Sequence, residues 1–255
     1  MDQEQEDILK YDQGTFHPGF SVDCVIFGFH ANQLRVLLLK MKGADVWALP
    51  GGFVFKDEDV EEAANRVLQL RTGLDNIFLR QFHLFGKPDR SQPDFNAKLL
   101  RQRQIPFAPN HWFLQRFITL GFYALVEYSR VTPRPDTNSE ACEWWDLQQV
   151  PALMQDHRQI LDKALEALRL QLAYQPIGYN LLAEKFTMPE LQRLYETILG
   201  KQLDRRNFQR KILAYDILER LDERRSGVAH KAPYLYRFNL EKYQQALEQG
   251  LEGGW

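Results

Sequence analysis

The sequence contains little cysteine and carries almost no net charge. Its 255 residues include only two cysteines, Cys24 and Cys142, and its formal net charge is −2. A scaffold that depends on several disulfides is therefore excluded. Both thiols lie in apolar or aromatic surroundings, which are typical of buried cysteines rather than of metal ligands. With 44% apolar and 26% charged residues, the chain can bury a sizeable core without cross-links.

Long apolar runs are missing as well. The chain has no stretch of about 18 consecutive apolar residues, so the sequence predicts no membrane-spanning helix. The first residues, MDQEQEDILKYDQG, are acidic and polar, which is unlike a signal peptide. We therefore expect a cytoplasmic location and no association with a membrane.

A spaced motif begins at Trp47 with WALPGGFVFKDEDVEEAANRVLQLRTGL. The stretch resembles the Nudix signature, in which glycine, glutamate, arginine, an apolar residue and a second glycine recur at fixed intervals. The matching positions are Gly52, Glu58, Arg66, Leu68, Gly73 and Leu74. Three signature positions that are glutamate in Nudix hydrolases are Val67, Leu70 and Arg71 in this chain. The resemblance implies a Nudix fold that has been put to another use.

These three replacements remove the chemistry of a metal site. Mg²⁺ prefers oxygen ligands, which valine and leucine lack, and Arg71 adds a fixed positive charge. Glu58, Glu61 and Glu62 repeat the required spacing upstream, but helical steps of about 100° would place them on the opposite face of the helix. We interpret them as acids favoured near a helix N-terminus by its dipole. The sequence thus predicts no catalytic residue, no bound metal and no cofactor.

Hydrophobic periodicity divides the chain into regions. Strands are expected at residues 21–30, 33–41, 77–85 and 117–128, and helices at about 58–72 and 156–172. Together with the Nudix resemblance, this implies an α/β fold, a mixed sheet with flanking helices over residues 21–173 after a lead-in of residues 1–20. Residues 174–183 contain proline and glycine and are interpreted as a linker to a smaller domain over residues 184–245.

Residues 86–116 interrupt this pattern. Four prolines lie among scattered Phe, Trp, Arg and Gln, so no long element is expected there. Structureless connections of this length are uncommon inside compact domains. We interpret the segment either as a lid over a ligand pocket or as a partner-binding or variable insertion.

The C-terminal region has the pattern of a helix-turn-helix. A capping box, TMPE at residues 187–190, precedes apolar residues at helical spacing that continue to Gly200. A short turn then leads to Asp204, the expected N-cap of a second helix that is rich in basic residues. A helix, a short turn and a basic helix together form the plan of many DNA-binding domains.

The second helix presents side chains that suit DNA. Arginine and asparagine or glutamine can make bidentate contacts with guanine and adenine edges. The candidate DNA-binding residues on this helix are Arg205, Arg206, Asn207, Gln209, Arg210 and Lys211. We expect Phe208, Ile212 and Leu213 to pack beneath them. The alternative interpretation of this charge cluster is a solvated basic surface.

A basic hairpin is expected to follow the second helix. Its strands are predicted at residues 217–221 and 234–238, and the loop 222–233 between them would be the wing of a winged helix. Candidates for phosphate or minor-groove contact in this loop are Arg224, Arg225, His230 and Lys231.

The resemblance becomes specific in residues 179–212, YNLLAEKFTMPELQRLYETILGKQLDRRNFQRKI. They are similar to the C-terminal winged helix of the Nudix-related transcriptional regulators. SVDCVIFGF, WALPGGFV, FGKPDR and FYALV match the N-terminal part of the same group. The likeness implies a ligand-responsive transcription factor, a homodimer on a double-stranded DNA operator. Effectors in this group are ADP-ribose-like nucleotides or pentose sugars such as arabinose.

By position, six residues border the old Nudix substrate cleft and are candidates for effector contact. They are Gly52, Phe53, Arg71, Asp89, Arg90 and Arg116. Arginines suit phosphate or carboxylate groups, whereas Asp89 suits sugar hydroxyls. Asp89 and Arg90 could equally form a local structural pair. Arg71 either neutralises an anionic effector group or forms an ion pair within the protein.

Two other functions stay open at this point. The chain could be a Nudix hydrolase acting on a nucleoside diphosphate derivative, with an appended helical module and metal ligands from Asp57, Glu58 or the insertion. Alternatively, the C-terminal domain could serve protein interaction or dimerisation, in which case no salt-dependent DNA binding is expected.

Overall fold

The computed structural model describes residues 14–74, 77–225 and 232–250, which divide into two compact units. Unit 1 comprises the chain up to Phe27, Arg35–Leu125 and Arg130–Ala164. Unit 2 comprises Gly28–Leu34, Val126–Ser129 and the chain from Leu165 onward. Within the described residues, no helix is both long and apolar enough to cross a membrane.

A seven-stranded sheet forms the centre of unit 1. Its strands are β1 (Phe16–His30), β2 (Gln33–Met41), β3 (Trp47–Ala48), β4 (Gly51–Phe55), β5 (Phe78–Phe85), β6 (Ile118–Glu127) and β7 (Ser139–Asp146). The strand order is β3-β2-β1-β6-β5, with β4 paired to β1 and β7 paired to β2. Strand β1 begins at Phe16, although the sequence predicts a lead-in as far as residue 20. The cause is burial, because Phe16 is 2% exposed and its ring lies 5.4 Å from that of Trp112.

Helix α1 (Val60–Thr72) carries the motif positions and is bounded by local signals. Asp59 is its N-cap and forms a reciprocal capping box with Glu62, and Gly73 ends the helix in the left-handed conformation. Glu58 therefore precedes the helix. The expectation that Glu58 lies on a helical face is wrong, and its carboxylate instead accepts a hydrogen bond from the Phe55 amide.

Residues 86–116 are folded, contrary to the expectation that they contain no long element. Helix α2 (Pro93–Gln102) and a 3-10 turn (Trp112–Leu114) lie within them. Pro93 occupies the start of α2, where its missing N–H is not needed, so it begins a helix rather than breaking one. Leu100 and Ile105 are buried together. The insertion thus adds its own small core to unit 1.

Unit 2 contains the second half of α3 (His157–Tyr174) and a compact set of helices and strands. These are β8 (Phe186–Thr187), α4 (Met188–Leu199), α5 (Arg205–Ala214), β9 (Leu218–Arg224), β10 (Tyr234–Phe238) and α6 (Leu240–Gln249). The three strands form a sheet in the order β8-β10-β9. The predicted capping box at the start of α4 and the left-handed Gly200 at its end are confirmed.

The residues interpreted as a linker pack inside unit 2. Ile177 and Leu181 are 2% and 1% exposed, and the Tyr243 hydroxyl of α6 donates a hydrogen bond to the Pro176 carbonyl at 2.9 Å. Helix α6 has no counterpart in the sequence prediction, which ended the domain at residue 245. It begins at the N-cap Asn239, and Tyr243 anchors it in the core.

Candidate functional site

A cavity of about 220 Å³ lies in unit 1 beside the Nudix motif. Its walls come from β1, β4, α1, the insertion, the turn at residues 136–138 and the segment that precedes α3. Four of the six candidate effector residues line it, namely Gly52, Phe53, Arg71 and Arg90. The insertion contributes Asn96, Leu99 and Arg103 to the wall. It is therefore part of the cavity and not an independent appendage.

The motif glycines allow β4 to approach its neighbours closely. A Cβ on Gly52 would lie 3.0 Å from the Val67 side chain, and one on Gly51 would lie 2.5 Å from a carboxylate oxygen of Asp23. The second distance is far below van der Waals contact, so any larger residue at Gly51 would displace the Asp23 carboxylate.

The motif residues Glu58 and Arg66 have a structural role. The Arg66 Nε donates to a Glu58 carboxylate oxygen at 2.9 Å, and its Nη2 donates to the Phe53 carbonyl at 2.9 Å. The Arg66 guanidinium also lies 4.4 Å from the centre of the Phe55 ring. These contacts tie α1 to β4, so the surviving part of the motif holds the cavity wall in place.

The three missing acids would have faced this cavity. Val67, Leu70 and Arg71 all line it, and none of them offers an oxygen. The donor set does not fit the Mg²⁺ of Nudix hydrolases, which requires several oxygen ligands. Among the described residues, no group of three or more His, Cys, Asp or Glu side chains is arranged to hold a metal.

Arg71 turns its charge toward the cavity from a buried position. It is 7% exposed, and its Nη2 donates to an Asp136 carboxylate oxygen at 2.8 Å. Its Nε is buried without a hydrogen-bond partner among the described residues. Arg71 is thus ion-paired through its Nη2, while its Nε has no hydrogen-bond partner among the described residues.

The turn at residues 136–138 closes one side of the cavity and is held from several directions. The Asp136 carboxylate accepts hydrogen bonds from the Asn138 amide at 2.9 Å and the Ser139 hydroxyl at 2.6 Å. Arg103 of the insertion donates to the Thr137 carbonyl at 3.1 Å. The insertion therefore braces the turn that carries the partner of Arg71.

Arg90 anchors the opposite wall. Its Nε and Nη2 donate to the two carboxylate oxygens of Asp156 at 2.9 and 3.0 Å, and its Nη1 donates to the Phe117 carbonyl. A carboxylate oxygen of Asp23 lies 3.6 Å from the same guanidinium. The partner of Arg90 is thus Asp156 and not the adjacent Asp89.

Two candidate effector residues do not line the cavity. Asp89 is exposed in the turn before Arg90, and the exposed Arg116 donates a hydrogen bond to the Gly86 carbonyl. Their positions in the sequence suggested a place at the cleft, but neither residue is among those that line this cavity. The expectation that they border the cavity is corrected on this point.

His157 and Asp23 complete the Arg90 side of the cavity. The Leu49 amide donates to the His157 Nδ1 at 2.9 Å, while the Nε2 faces an Asp23 oxygen at 3.8 Å. Burial lowers the pKa of His157, although the Asp23 carboxylate opposes this effect. Neither residue was identified from the sequence. The only available signal was an acid, Asp23, within an otherwise apolar strand.

The basic helix α5 has a capped start and an exposed charged face. Asp204 accepts a hydrogen bond from the Asn207 amide, which confirms the predicted N-cap. Phe208 and Ile212 are buried beneath the helix, whereas Leu213, which was expected to pack there, is 41% exposed. A step of one residue turns a helix by about 100°, and this rotation carries Leu213 off the packing face.

The predicted DNA-binding residues on α5 differ in exposure. Exposed side chains are Arg205, Arg206, Asn207 and Arg210, and half-buried ones are Gln209 and Lys211. Burial lowers the pKa of the Lys211 ammonium. The Arg210 guanidinium donates to the Asn207 side-chain oxygen at 3.3 Å. The first two turns of α5 therefore present the three arginines and the asparagine together.

The wing candidates are partly engaged within unit 2. The expected loop begins later than predicted, because β9 extends to Arg224, whose guanidinium lies 4.0 Å from the centre of the Tyr234 ring. Arg225 forms an ion pair with Glu190 of the α4 capping box. His230 and Lys231 lie outside the described residues.

Comparisons with known proteins agree with this two-part organisation. The Nudix domain family matches residues 17–167, and the NrtR DNA-binding winged helix domain matches residues 178–238. The ADPR responsive transcriptional repressor NtrR of Acinetobacter baylyi is 30% identical over 258 residues, which cover 98% of this chain and 94% of that protein.

Solved structures give the same result. The crystal structure of Shewanella oneidensis NrtR has a TM-score of 0.70 and 26% identity, and the match covers 93% of this chain and 100% of that one. The crystal structure of Shewanella oneidensis NrtR complexed with a 27mer DNA has a TM-score of 0.70 and 25% identity, with 92% and 99% covered.

A Nudix-type domain followed by a DNA-binding winged helix defines a ligand-responsive, DNA-binding transcriptional regulator. The chain belongs to the NrtR family of these regulators, since the likeness extends over nearly its whole length. The resemblance that the sequence carries in residues 179–212 is thereby confirmed, as is the fold class.

Proposed function

We propose that this chain is an ADP-ribose-responsive transcriptional repressor whose Nudix domain binds its effector without hydrolysing it. The observation that carries the proposal is the cavity itself. At the three positions where a Nudix hydrolase has metal-binding glutamates, its lining contains valine, leucine and arginine. A relative that matches 98% of the chain is an ADPR responsive repressor.

The chemistry of the cavity favours an anionic effector over a neutral pentose. Four arginine side chains line it, Arg66, Arg71, Arg90 and Arg103. Arg66 and Arg90 are held in ion pairs with Glu58 and Asp156, so we assign the contact with the anionic group to the side of Arg71 and Arg103. Guanidinium groups form strong, charge-assisted hydrogen bonds with phosphate oxygens. A diphosphate could therefore take the place next to Arg71 that a metal ion would otherwise occupy.

Binding without turnover follows from the same residues. Nudix-type hydrolysis needs a divalent ion that polarises the diphosphate and positions water, and the lining does not fit such an ion. Arg71 offsets the charge of a diphosphate but cannot supply an activated water. The cavity thus supports a sensor that retains its ligand unchanged, and it disfavours the alternative of a nucleoside diphosphate hydrolase.

The output of the sensor would be DNA binding through unit 2. We infer that the N-terminal turn of α5 contacts base edges in the major groove, and that a homodimer places two such helices on a palindromic operator. The wing contributes phosphate contacts through Arg224 and Lys231, whereas Arg225 supports the wing through Glu190.

The first test is a thermal-shift measurement on the purified chain with ADP-ribose and with arabinose, each with and without Mg²⁺. At a hundredfold excess over its dissociation constant, a ligand stabilises the folded state by about 2.7 kcal/mol. We expect a shift with ADP-ribose that is independent of Mg²⁺, and intact ADP-ribose on chromatography afterwards. Mg²⁺-dependent cleavage of ADP-ribose would instead support the hydrolase hypothesis. A thermal shift with arabinose alone would show that the effector is a pentose and not ADP-ribose.

Substitutions of Arg71 and of its partner Asp136 should affect ADP-ribose binding differently. Arg71→Ala should weaken ADP-ribose binding by about 1.5–3 kcal/mol, since a hydrogen bond between charged groups is lost. Asp136→Asn should leave binding unchanged or tighten it, because it removes the internal competitor for the same guanidinium. Isothermal titration calorimetry measures both. Equal affinities for the Arg71→Ala variant and the wild type would eliminate Arg71 as an effector contact.

A further inference from the structure

Asp23 is a charged residue in an apolar environment. It lies on β1 between Val22 and Cys24, which are both 0% exposed, and is itself 7% exposed. Burying a carboxylate is unfavourable unless partners compensate for its lost hydration. The partners of Asp23 are therefore informative about what its carboxylate does.

These partners leave the carboxylate with unused acceptor capacity. Among the described residues, Arg90 and His157 approach it at 3.6 and 3.8 Å. Both distances exceed those of protein hydrogen bonds. The carboxylate lines the cavity, so a ligand in the cavity can supply the donors that the protein does not.

The local charge balance is negative. Arg90 already has a two-pronged ion pair with Asp156, which matches its single positive charge. His157 adds no compensating charge when it is neutral, and burial lowers its pKa. Asp23 is thus an additional negative charge at this wall, where a phosphate would be repelled and a hydroxyl donor attracted.

The backbone keeps the Asp23 carboxylate in a fixed place. Asp23 pairs with Gly51 across β1 and β4, and the absence of a side chain on Gly51 leaves the space that a carboxylate oxygen occupies. In the adjacent pair of residues, Cys24 and Pro50, the Cys24 amide donates a hydrogen bond to the Pro50 carbonyl at 2.7 Å. An acceptor positioned this firmly can discriminate between ligands that differ by one hydroxyl group.

We propose that Asp23 recognises the vicinal hydroxyl groups of a ribose in the effector. The two carboxylate oxygens can accept hydrogen bonds from two adjacent hydroxyls. Such hydrogen bonds are short and strong because the acceptor is charged. The inference rests on the proposed function and deepens it. The diphosphate lies toward Arg71, the ribose lies toward Asp23, and specificity for a ribonucleotide comes from the Asp23 wall. Sugar recognition is thereby assigned to Asp23 instead of Asp89.

The test compares ADP-ribose with two analogues on the full chain by calorimetry. One analogue lacks the 2′-hydroxyl of the adenosine ribose, and the other lacks the corresponding hydroxyl of the distal ribose. For the wild type, we expect one analogue to bind about 10- to 100-fold more weakly than ADP-ribose. That analogue identifies which ribose contacts Asp23.

Asp23→Asn should reduce this penalty to about threefold or less, because a neutral amide forms a weaker hydrogen bond with a hydroxyl. Asp156→Asn is the matched control. The Asp156→Asn substitution removes a charge of the same sign and the main partner of Arg90, but Asp156 does not line the cavity. In this variant the deoxy analogue should therefore still bind about as weakly, relative to ADP-ribose, as it does to the wild type. If Asp23 acted only through Arg90, both variants would behave alike.

The outcomes separate the two proposals. If the wild type binds ADP-ribose and both analogues equally well, the inference about Asp23 is overturned without recourse to any variant, and the proposed function stands. An undiminished penalty in folded Asp23→Asn also overturns it. If the wild type does not bind ADP-ribose at all, the proposed function and the inference both fail.

Discussion

Replacing Arg206 and Asn207 together by alanine should abolish sequence-specific DNA binding while the fold is retained. Both side chains are exposed in the first turn of α5, where recognition helices contact base edges. Each lost base contact should weaken specific binding by about 1–3 kcal/mol. If the two losses add, the double variant loses about 2–6 kcal/mol.

The measurement is fluorescence anisotropy with an operator that is first selected from random duplexes by the wild-type protein. Arg206→Lys is a useful companion, because it keeps the positive charge but loses the bidentate geometry. It should reduce discrimination between the operator and a scrambled duplex, and should leave the salt dependence of binding nearly unchanged. A loss of affinity for both duplexes alike would instead indicate a phosphate contact.

Arg158→Ala is the matched control for charge. Arg158 is an exposed arginine on α3 that pairs with Asp162 one helical turn away, and it lies outside the winged helix. Its removal changes the net charge by the same amount as the removal of Arg206. If Arg158→Ala and the double variant weakened operator binding equally, α5 would not be the recognition helix, and the solvated basic surface would be the better interpretation.

The features that the sequence predicts well are those with local causes. Capping boxes and helix-ending glycines involve residues within one or two turns of each other, so the capping box at Thr187 and the helix end at Gly200 can be predicted from the sequence. The Nudix motif has a fixed spacing, and it correctly places Gly52 and Arg71 at the cavity.

The features that the sequence does not reveal depend on contacts between distant segments. The insertion packs against β1 through Trp112 and Phe16, which are far apart in the chain, whereas its own prolines suggested a loop. Asp23 and His157 meet across more than half the length of the chain. Helical phase also matters, since a single step separates the buried Ile212 from the exposed Leu213.

Phe208→Ala should cause the largest loss of stability among the substitutions considered. Phe208 is 2% exposed beneath α5, and its ring meets that of Tyr195 of α4 edge-on, with centroids 5.4 Å apart. Truncating a buried phenylalanine leaves a cavity and costs about 3–5 kcal/mol. This contact joins the two helices of the helix-turn-helix, so its loss should unfold or loosen the DNA-binding surface.

Leu213→Ala is the control on the same helix. Leu213 is 41% exposed, and surface substitutions usually change stability by less than about 0.5 kcal/mol. Denaturant unfolding followed by circular dichroism measures both variants. Every cavity-lining residue lies in unit 1, so Phe208→Ala should retain the stabilisation of that unit by ADP-ribose while operator binding is lost. If the two variants were equally stable, α5 would not depend on Phe208 for its attachment to α4.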